Sequence, residues 1–92
     1  MGKYQLEIYT RPTCSDCQDL KKFLESHHIP HKQYDLAKQP DKEEDLKKIT
    51  GSRIVPALVF SDRSLLRLVR KPKSMIGFER NKDEIKRLLN VG

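Results

Sequence analysis

The two cysteines of the chain, Cys14 and Cys17, stand three positions apart in the segment YTRPTCSDCQDL, residues 9 to 20. A C-x2-C pair is found in metal sites, in redox dithiols, and as a pair of small buried side chains. If both cysteines lie in the first turn of a helix, their side chains share one face and a disulfide can close with little movement. The spacing allows all three kinds of site, so the surrounding residues have to discriminate.

The residues around the pair favour the redox dithiol. We predict that Cys14 begins a helix, where unpaired backbone N–H groups and the positive end of the helix dipole favour the thiolate. Arg11, three residues earlier, adds positive charge, and the thiolate is the nucleophile in thiol–disulfide exchange. Cys17, further inside, is expected to keep its proton and to resolve a mixed disulfide.

A metal site and a structural pair are the alternatives. Cys14, Cys17, His27 and His31 have a spacing close to that of a zinc finger, C-x2-C-x9-H-x3-H. However, Cys17 and His27 would be about 15 Å apart along one helix, whereas zinc ligands lie about 2.0–2.3 Å from the ion. We therefore expect no metal at this position, and solvated histidines at a helix end. Cys17 would suit a buried apolar position, but Cys14 follows a loop and would not.

Length and composition indicate one small intracellular domain, residues 1–92. Secreted chains of this length usually carry several disulfides, and this chain has two cysteines. We find neither a run of ~20 apolar residues nor a signal-peptide core, so we expect a cytoplasmic monomer without a membrane partner. The net charge is +6, with a dense basic run, RLVRKPK, at 67–73. We interpret this run as a solvated edge or loop and expect no nucleic-acid partner.

Hydrophobic periodicity predicts seven elements. Strands are predicted for YQLEIYT, HKQYDL, PALVF and LLRLVR, the last broken by KPKSMIG, and helices from Cys14 to about SHHIP and in PDKEEDLKKITG and NKDEIKRLLN. The helix starts are assigned from three capping-box pairs, Thr13 with Asp16, Asp41 with Glu44, and Asn81 with Glu84. The order β-α-β-α-β-β-α predicts an α/β fold, in which a four-stranded mixed sheet is covered by helices on both faces.

Nearly the whole chain resembles the glutaredoxin family within the thioredoxin-like fold. LEIYTRPTCSDC resembles the family's first strand and active-site loop, SRIVPALVF its X-Val-Pro loop and third strand, and IGFERNKDEIKRLL its last helix. The resemblance implies a thiol–disulfide oxidoreductase that reduces protein disulfides or mixed disulfides. It implies no tightly bound cofactor, with glutathione or thioredoxin reductase as the electron donor.

The resemblance also implies roles for individual residues. Cys14 would attack the substrate disulfide and Cys17 would resolve the intermediate. A cis Pro56 would hold the backbone of Val55 opposite the sulfurs, where it pairs with an extended substrate, and Arg11 would contact the glycine carboxylate of glutathione. The full set of predicted substrate-binding residues is Arg11, Thr13, Val55, Pro56, Gly77 and Phe78.

The chain departs from the family pattern between the cysteines, where Ser15-Asp16 replaces the usual Pro-Tyr. Asp16 is expected to modulate the dithiol, because its carboxylate opposes Arg11 and disfavours the thiolate; it also suits a helix-capping role. Only Gly77 of the usual Gly-Gly pair is present. The Gly-Phe sequence is closer to the redoxins that take electrons from thioredoxin reductase.

Two alternative functions stay open. Some glutaredoxins share a [2Fe–2S] cluster and glutathione between two chains, and those often lack the proline that Ser15 replaces here. A noncatalytic adaptor of the same fold could instead use the basic segment RLVRKPKS as its binding surface. The segment SDRSLLRLVRKPKSM, at 61–75, is longer than the corresponding hairpin of the family and has no assigned role.

Overall fold

The computed structural model of the chain describes residues 4–62 and 73–91. The elements are β1 (Tyr4–Thr10), α1 (Ser15–Ser26), β2 (Lys32–Asp35), α2 (Lys42–Thr50), β3 (Ala57–Asp62), β4 (Lys73–Ile76), a 3-10 helix (Glu79–Asn81) and α3 (Lys82–Leu89). This order confirms the predicted β-α-β-α-β-β-α fold class. Within the described ranges, the helices are all too short or too polar to span a bilayer.

The four strands form one mixed sheet in the order β2-β1-β3-β4. β1 and β2 are parallel, with Tyr9 opposite Tyr34. β3 runs antiparallel to both of its neighbours, β1 and β4. β1 and β3 are therefore the central strands. The loop that follows β1 carries Cys14 and the loop that precedes β3 carries Pro56, so both segments lie at the same end of the sheet.

Each face of the sheet has its own hydrophobic core. On one face, Leu6, Ile8, Leu58 and Phe60 pack against Leu20 and Leu24 of α1 and Ile85 of α3. On the other face, Tyr9, Ala57 and Val59 pack against Leu46 of α2. Because β3 is central and covered on both sides, it reads in the sequence as the continuous apolar run PALVF.

A strand lies in a segment where the periodicity predicted a break. LLRLVR, residues 65–70, lies outside the described residues, and β4 lies within KPKSMIG, which was expected to break the strand. In β4, Lys73 pairs with Phe60 and Ile76 pairs with Ala57. The ladder with β3 and the contact of Met75 with the core determine this strand. An edge position tolerates the lysine, although the segment has little β-propensity.

Two of the predicted capping boxes are not formed. Asp41 and Asn81 do occupy the N-cap positions of α2 and α3, but neither side chain caps its helix. The predictions that pair them with Glu44 and Glu84 are therefore wrong. The amide of Asn81 instead donates to the carbonyl oxygens of Ile76, the last residue of β4, and of Gly77. The predicted stop at Gly51 is confirmed, since this residue follows α2 with φ of 79°.

Candidate active site

The sulfur of Cys14 lies at the N-terminus of α1. Cys14 is the N-cap residue, and its Sγ accepts the backbone N–H of Cys17 at an N···S distance of 3.1 Å. The same Sγ is 3.9 Å from the carbonyl oxygen of Val55, to which the thiol can donate. The side chain is partly exposed. An N–H aimed from a helix N-terminus is a common way for proteins to hold an anionic group, and here it points at an accessible sulfur.

The second thiol is in a different environment. Cys17 is 0% exposed, on the apolar side of α1. Burial raises the pKa of the Cys17 thiol to about 12, and the hydrogen bond with Cys14 adds to this shift. Both cysteines are free thiols. The predicted contrast between an accessible Cys14 and a buried Cys17 is confirmed.

The predicted capping pair Thr13 and Asp16 is also wrong. The sulfur of Cys14 takes the N-cap role, and Thr13 is exposed in the turn before it. Asp16 reaches across to the last helical segment. Its Oδ2 accepts the N–H of Phe78 at 2.8 Å, and its Oδ1 accepts the N–H of Glu79 at 3.3 Å. The acid between the two cysteines therefore caps another helix, not its own.

The Val55-Pro56 segment meets the Gly77-Phe78 segment beside the cysteines. The Val55–Pro56 peptide bond is cis, as the resemblance implies. The N–H of Gly77 donates to the carbonyl oxygen of Pro56 at 2.8 Å. Gly77 has φ of 95°, and a Cβ there would lie 2.7 Å from Cδ of Arg80. The site therefore requires glycine, and Phe78 follows it, buried, as the start of the last helical segment.

Arg11 adjoins the site, but its charge is paired. Its carbonyl oxygen accepts the N–H of Cys14, and its Nη2 lies 2.8 Å from Oε1 of Glu43 in the first turn of α2. Oε2 of Glu43 is 3.1 Å from Nε of Arg53. The sequence analysis missed Glu43 and Arg53. The acid-rich first turn of α2 was the available signal, but nothing local identified its partner.

The histidines of the near zinc-finger pattern are not part of this site. His27 caps the C-terminal end of α1, whereas Cys14 caps its N-terminal end. His31 contacts the carbonyl oxygen of Ile29 through Nδ1 at 2.8 Å. Among residues 4–62 and 73–91, no group of three or more His, Cys, Asp or Glu side chains is arranged to hold a metal ion.

Curated relatives match part of the chain. The global transcriptional regulator Spx of Enterococcus faecalis is 36% identical over 44 residues, which is 48% of this chain and 33% of the regulator. Spx of Listeria innocua is 33% identical over 42 residues, or 46% of this chain and 32% of the regulator. The matched segment thus spans about a third of the length of these regulators.

Solved structures and a family model match a larger part of the chain than these relatives do. A glutaredoxin from Archaeoglobus fulgidus superposes with a TM-score of 0.72 at 22% identity, over 96% of this chain and 88% of that one. A variant of the thioredoxin-like protein BC3987 superposes with a TM-score of 0.74 at 23% identity, over 100% of both chains. The family model Glutaredoxin matches residues 6–65, a stretch that includes both cysteines and the Val55–Pro56 bond. This chain belongs to the glutaredoxin family.

Proposed function

We propose that the protein is a thiol–disulfide oxidoreductase in which Cys14 attacks the substrate and Cys17 resolves the intermediate. The observation that carries the proposal is the asymmetry of the two thiols. Cys14 is partly exposed and its sulfur accepts a helix N-terminal N–H, whereas Cys17 is fully buried. The family and the thioredoxin-like fold support a redox function of this kind.

The proposed reaction passes two electrons to the substrate. The thiolate of Cys14 attacks one sulfur of a substrate disulfide, the S–S bond breaks, and the other sulfur leaves and takes up a proton. The thiol of Cys17 then loses its proton and attacks the sulfur of Cys14. This step forms the Cys14–Cys17 disulfide and releases the second substrate sulfur, which takes up a proton.

The environment of Cys17 changes during this reaction. Burial is the main cause of its raised pKa, and the hydrogen bond and the charge interaction with Cys14 are further causes. The two contributions from Cys14 both raise the pKa of Cys17, and both are weakened once Cys14 is part of a neutral mixed disulfide. Ionisation of Cys17 is then easier than in the dithiol form, so resolution is favoured after the substrate has bound covalently.

We propose disulfide-containing proteins as the substrates. Val55 presents its backbone beside Cys14, where an extended polypeptide could pair with it. Its neighbour Ile54 is 62% exposed, and it is the large hydrophobic residue that stands out as exposed in the described part of the chain. An apolar side chain at the rim would contact a polypeptide next to its disulfide. Arg11, Thr13, Gly77 and Phe78 are proposed to complete the binding site.

The electron donor is proposed to be glutathione or thioredoxin reductase, and the protein to act as a cytoplasmic monomer. A coupled assay distinguishes the donors. The oxidised protein is offered NADPH with thioredoxin reductase, or NADPH with glutathione and glutathione reductase. Consumption of NADPH in only one mixture identifies the donor.

The roles of the cysteines are tested with a fluorescent disulfide-linked peptide and dithiothreitol as the donor. Cys14→Ser should abolish turnover. When the pre-reduced Cys17→Ser variant is mixed with the peptide after dithiothreitol has been removed, it should accumulate a mixed disulfide, detected as one added peptide mass per protein. The chain has no third cysteine that could substitute for either one. Full turnover by Cys14→Ser would exclude the proposed mechanism.

A second candidate is a regulator whose dithiol reports the redox state. The partial match to proteins named global transcriptional regulators supports it. Such a protein would be oxidised and reduced once per signal and needs no rapid catalysis, so in the peptide assay it should raise the rate little above that of dithiothreitol alone. A bridging [2Fe–2S] cluster is a further alternative, and it predicts a brown protein with visible absorption after anaerobic purification.

A further inference from the structure

The cationic groups beside Cys14 are neutralised from within the chain. The carboxylate of Glu43 pairs with Arg11 through one oxygen and with Arg53 through the other, and Nη2 of Arg53 also lies 3.8 Å from Oε2 of Glu44. Arg11 lies three residues before Cys14, and Arg53 lies two residues before Val55, whose carbonyl oxygen faces the sulfur. Glu43 therefore ties together the two loops that flank the sulfur, and it pairs with both guanidinium groups.

A second internal carboxylate occupies the backbone donors of the site. Asp16 accepts the N–H groups of Phe78 and Glu79, which open the 3-10 helix that leads into α3. Such N–H groups favour a negative group. Here Asp16, which follows Cys14 by two residues, already supplies that group with both of its oxygens.

The contacts of Glu43 and Asp16 affect which thiols can react at Cys14. A thiol that carries a carboxylate would find the donor groups beside the sulfur already occupied. It would also bring its charge towards the negative charges of Asp16 and Glu43. A neutral thiol meets no such opposition. Specificity of this kind arises from groups that oppose the wrong partner as well as from groups that attract the right one.

Building on the oxidoreductase function proposed above, we propose that Glu43 and Asp16 are specificity-determining residues. They make the oxidised dithiol a poor target for carboxylate-bearing thiols such as glutathione, and they direct the protein to a protein electron donor. Neither residue reacts. Each acts through the donor groups that it occupies, at Arg11 and Arg53 for Glu43, and at the start of the last helical segment for Asp16.

The test compares small thiols as reductants of the oxidised protein. One thiolate attacks Cys14, the Cys14–Cys17 bond breaks, and the sulfur of Cys17 leaves and takes up a proton. A second thiolate attacks the mixed disulfide and releases the oxidised small molecule and Cys14, so each small thiol supplies one electron. Rates are measured with mercaptoethanol, mercaptopropionate and glutathione, by acid quench, alkylation and mass spectrometry.

The quantity of interest is the rate with each anionic thiol divided by the rate with mercaptoethanol. When the ratio in a variant is divided by the wild-type ratio, the intrinsic reactivities of the thiols cancel. Removal of one nearby like charge at a partly solvated site should raise this ratio about fivefold. We expect that rise in Glu43→Gln and in Asp16→Asn, and a larger one in the double variant.

Glu84→Gln is the matched control. Glu84 is also an acid held by two cations, Lys73 and Arg87, but neither of these belongs to the loops around Cys14. This variant changes the net charge by the same amount and should leave the ratio at the wild-type value. A general charge effect would instead raise the ratio in all of the variants alike and would overturn the proposal.

The remaining outcomes separate the two proposals. Unchanged ratios in folded Glu43→Gln and Asp16→Asn would overturn the specificity role, while the oxidoreductase proposal would stand. If wild-type protein transfers no electrons from any thiol to the peptide disulfide, the oxidoreductase proposal fails instead. Urea midpoints establish that each variant is folded, and if Asp16→Asn is not, Glu43→Gln alone decides.

Discussion

The ionisation of Cys17 offers a direct test of the site. The Cys14→Ser variant leaves Cys17 as the single thiol, and its alkylation by iodoacetamide reports the thiolate fraction. With the pKa of Cys17 raised to about 12, about one molecule in 10,000 is ionised at pH 8. With the ordinary pKa of 9.0, about one in ten is ionised. These values apply to the wild-type dithiol, and the variant lacks the contribution of Cys14 to the shift, so unfolding in urea should speed alkylation by up to about a thousandfold through ionisation alone.

Burial is the largest cause of this shift and is still present in the Cys14→Ser variant. The logarithm of the native alkylation rate should therefore rise linearly from pH 7 to pH 10 without a plateau. Rates at several low urea concentrations identify any reaction that proceeds through unfolded molecules, because that route accelerates with urea. The Cys17→Ser variant provides the comparison, and its partly exposed Cys14 should react faster. A plateau below pH 9, or equal native and urea rates, would refute the reasoning.

Three further predictions concern stability, measured by urea unfolding. The pKa values of Cys17 and Tyr9 are raised to about 12, so their protonated forms stabilise the fold fully below the unfolded values of 9.0 and 10.0. This stabilisation is lost as the pH rises towards 12, and Cys17→Ala should show a smaller loss between pH 9 and 12. Asp16→Ala should lower the free energy of unfolding by about 2 kcal/mol, because a partly buried backbone N–H loses a charged acceptor. The control is Asp19→Ala, an exposed position on the same helix, which should change the free energy of unfolding by less than about 0.5 kcal/mol. Gly77→Ala should cost about 1–3 kcal/mol, because φ of 95° strains an alanine, and a smaller loss would show that the loop relaxes.

Local patterns determined much of the fold. The alternation of Leu6 and Ile8 assigned β1 and its core face, and the helical spacing of Leu20 and Leu24 assigned the buried side of α1. These predictions succeeded because strand and helix periods place neighbours in sequence on one face, whatever covers that face later. The same patterns placed the cysteine pair at a helix N-terminus and carried the resemblance to the family.

The position of β4 and the helix caps were decided by tertiary contacts. Asn81 suited a local cap by its type, yet its amide bonds elsewhere, because the end of β4 and the residue after it present two carbonyl oxygens to it. The short strand Lys73–Ile76 exists because β3 offers it a ladder, which its own composition does not reveal. Propensity describes what a segment can form alone, and it is overridden where a neighbouring element supplies hydrogen bonds.

The electrostatics of the site likewise depend on the tertiary structure. The sequence placed Arg11 and Asp16 close to Cys14 and suggested that they oppose each other. In the fold, Arg11 pairs with Glu43, 32 residues away in sequence, and Asp16 binds backbone groups 62 and 63 residues away. The sequence determines that these charges lie beside the sulfur. The order of strands in the sheet decides which loops meet there, and with them which partner each charge finds.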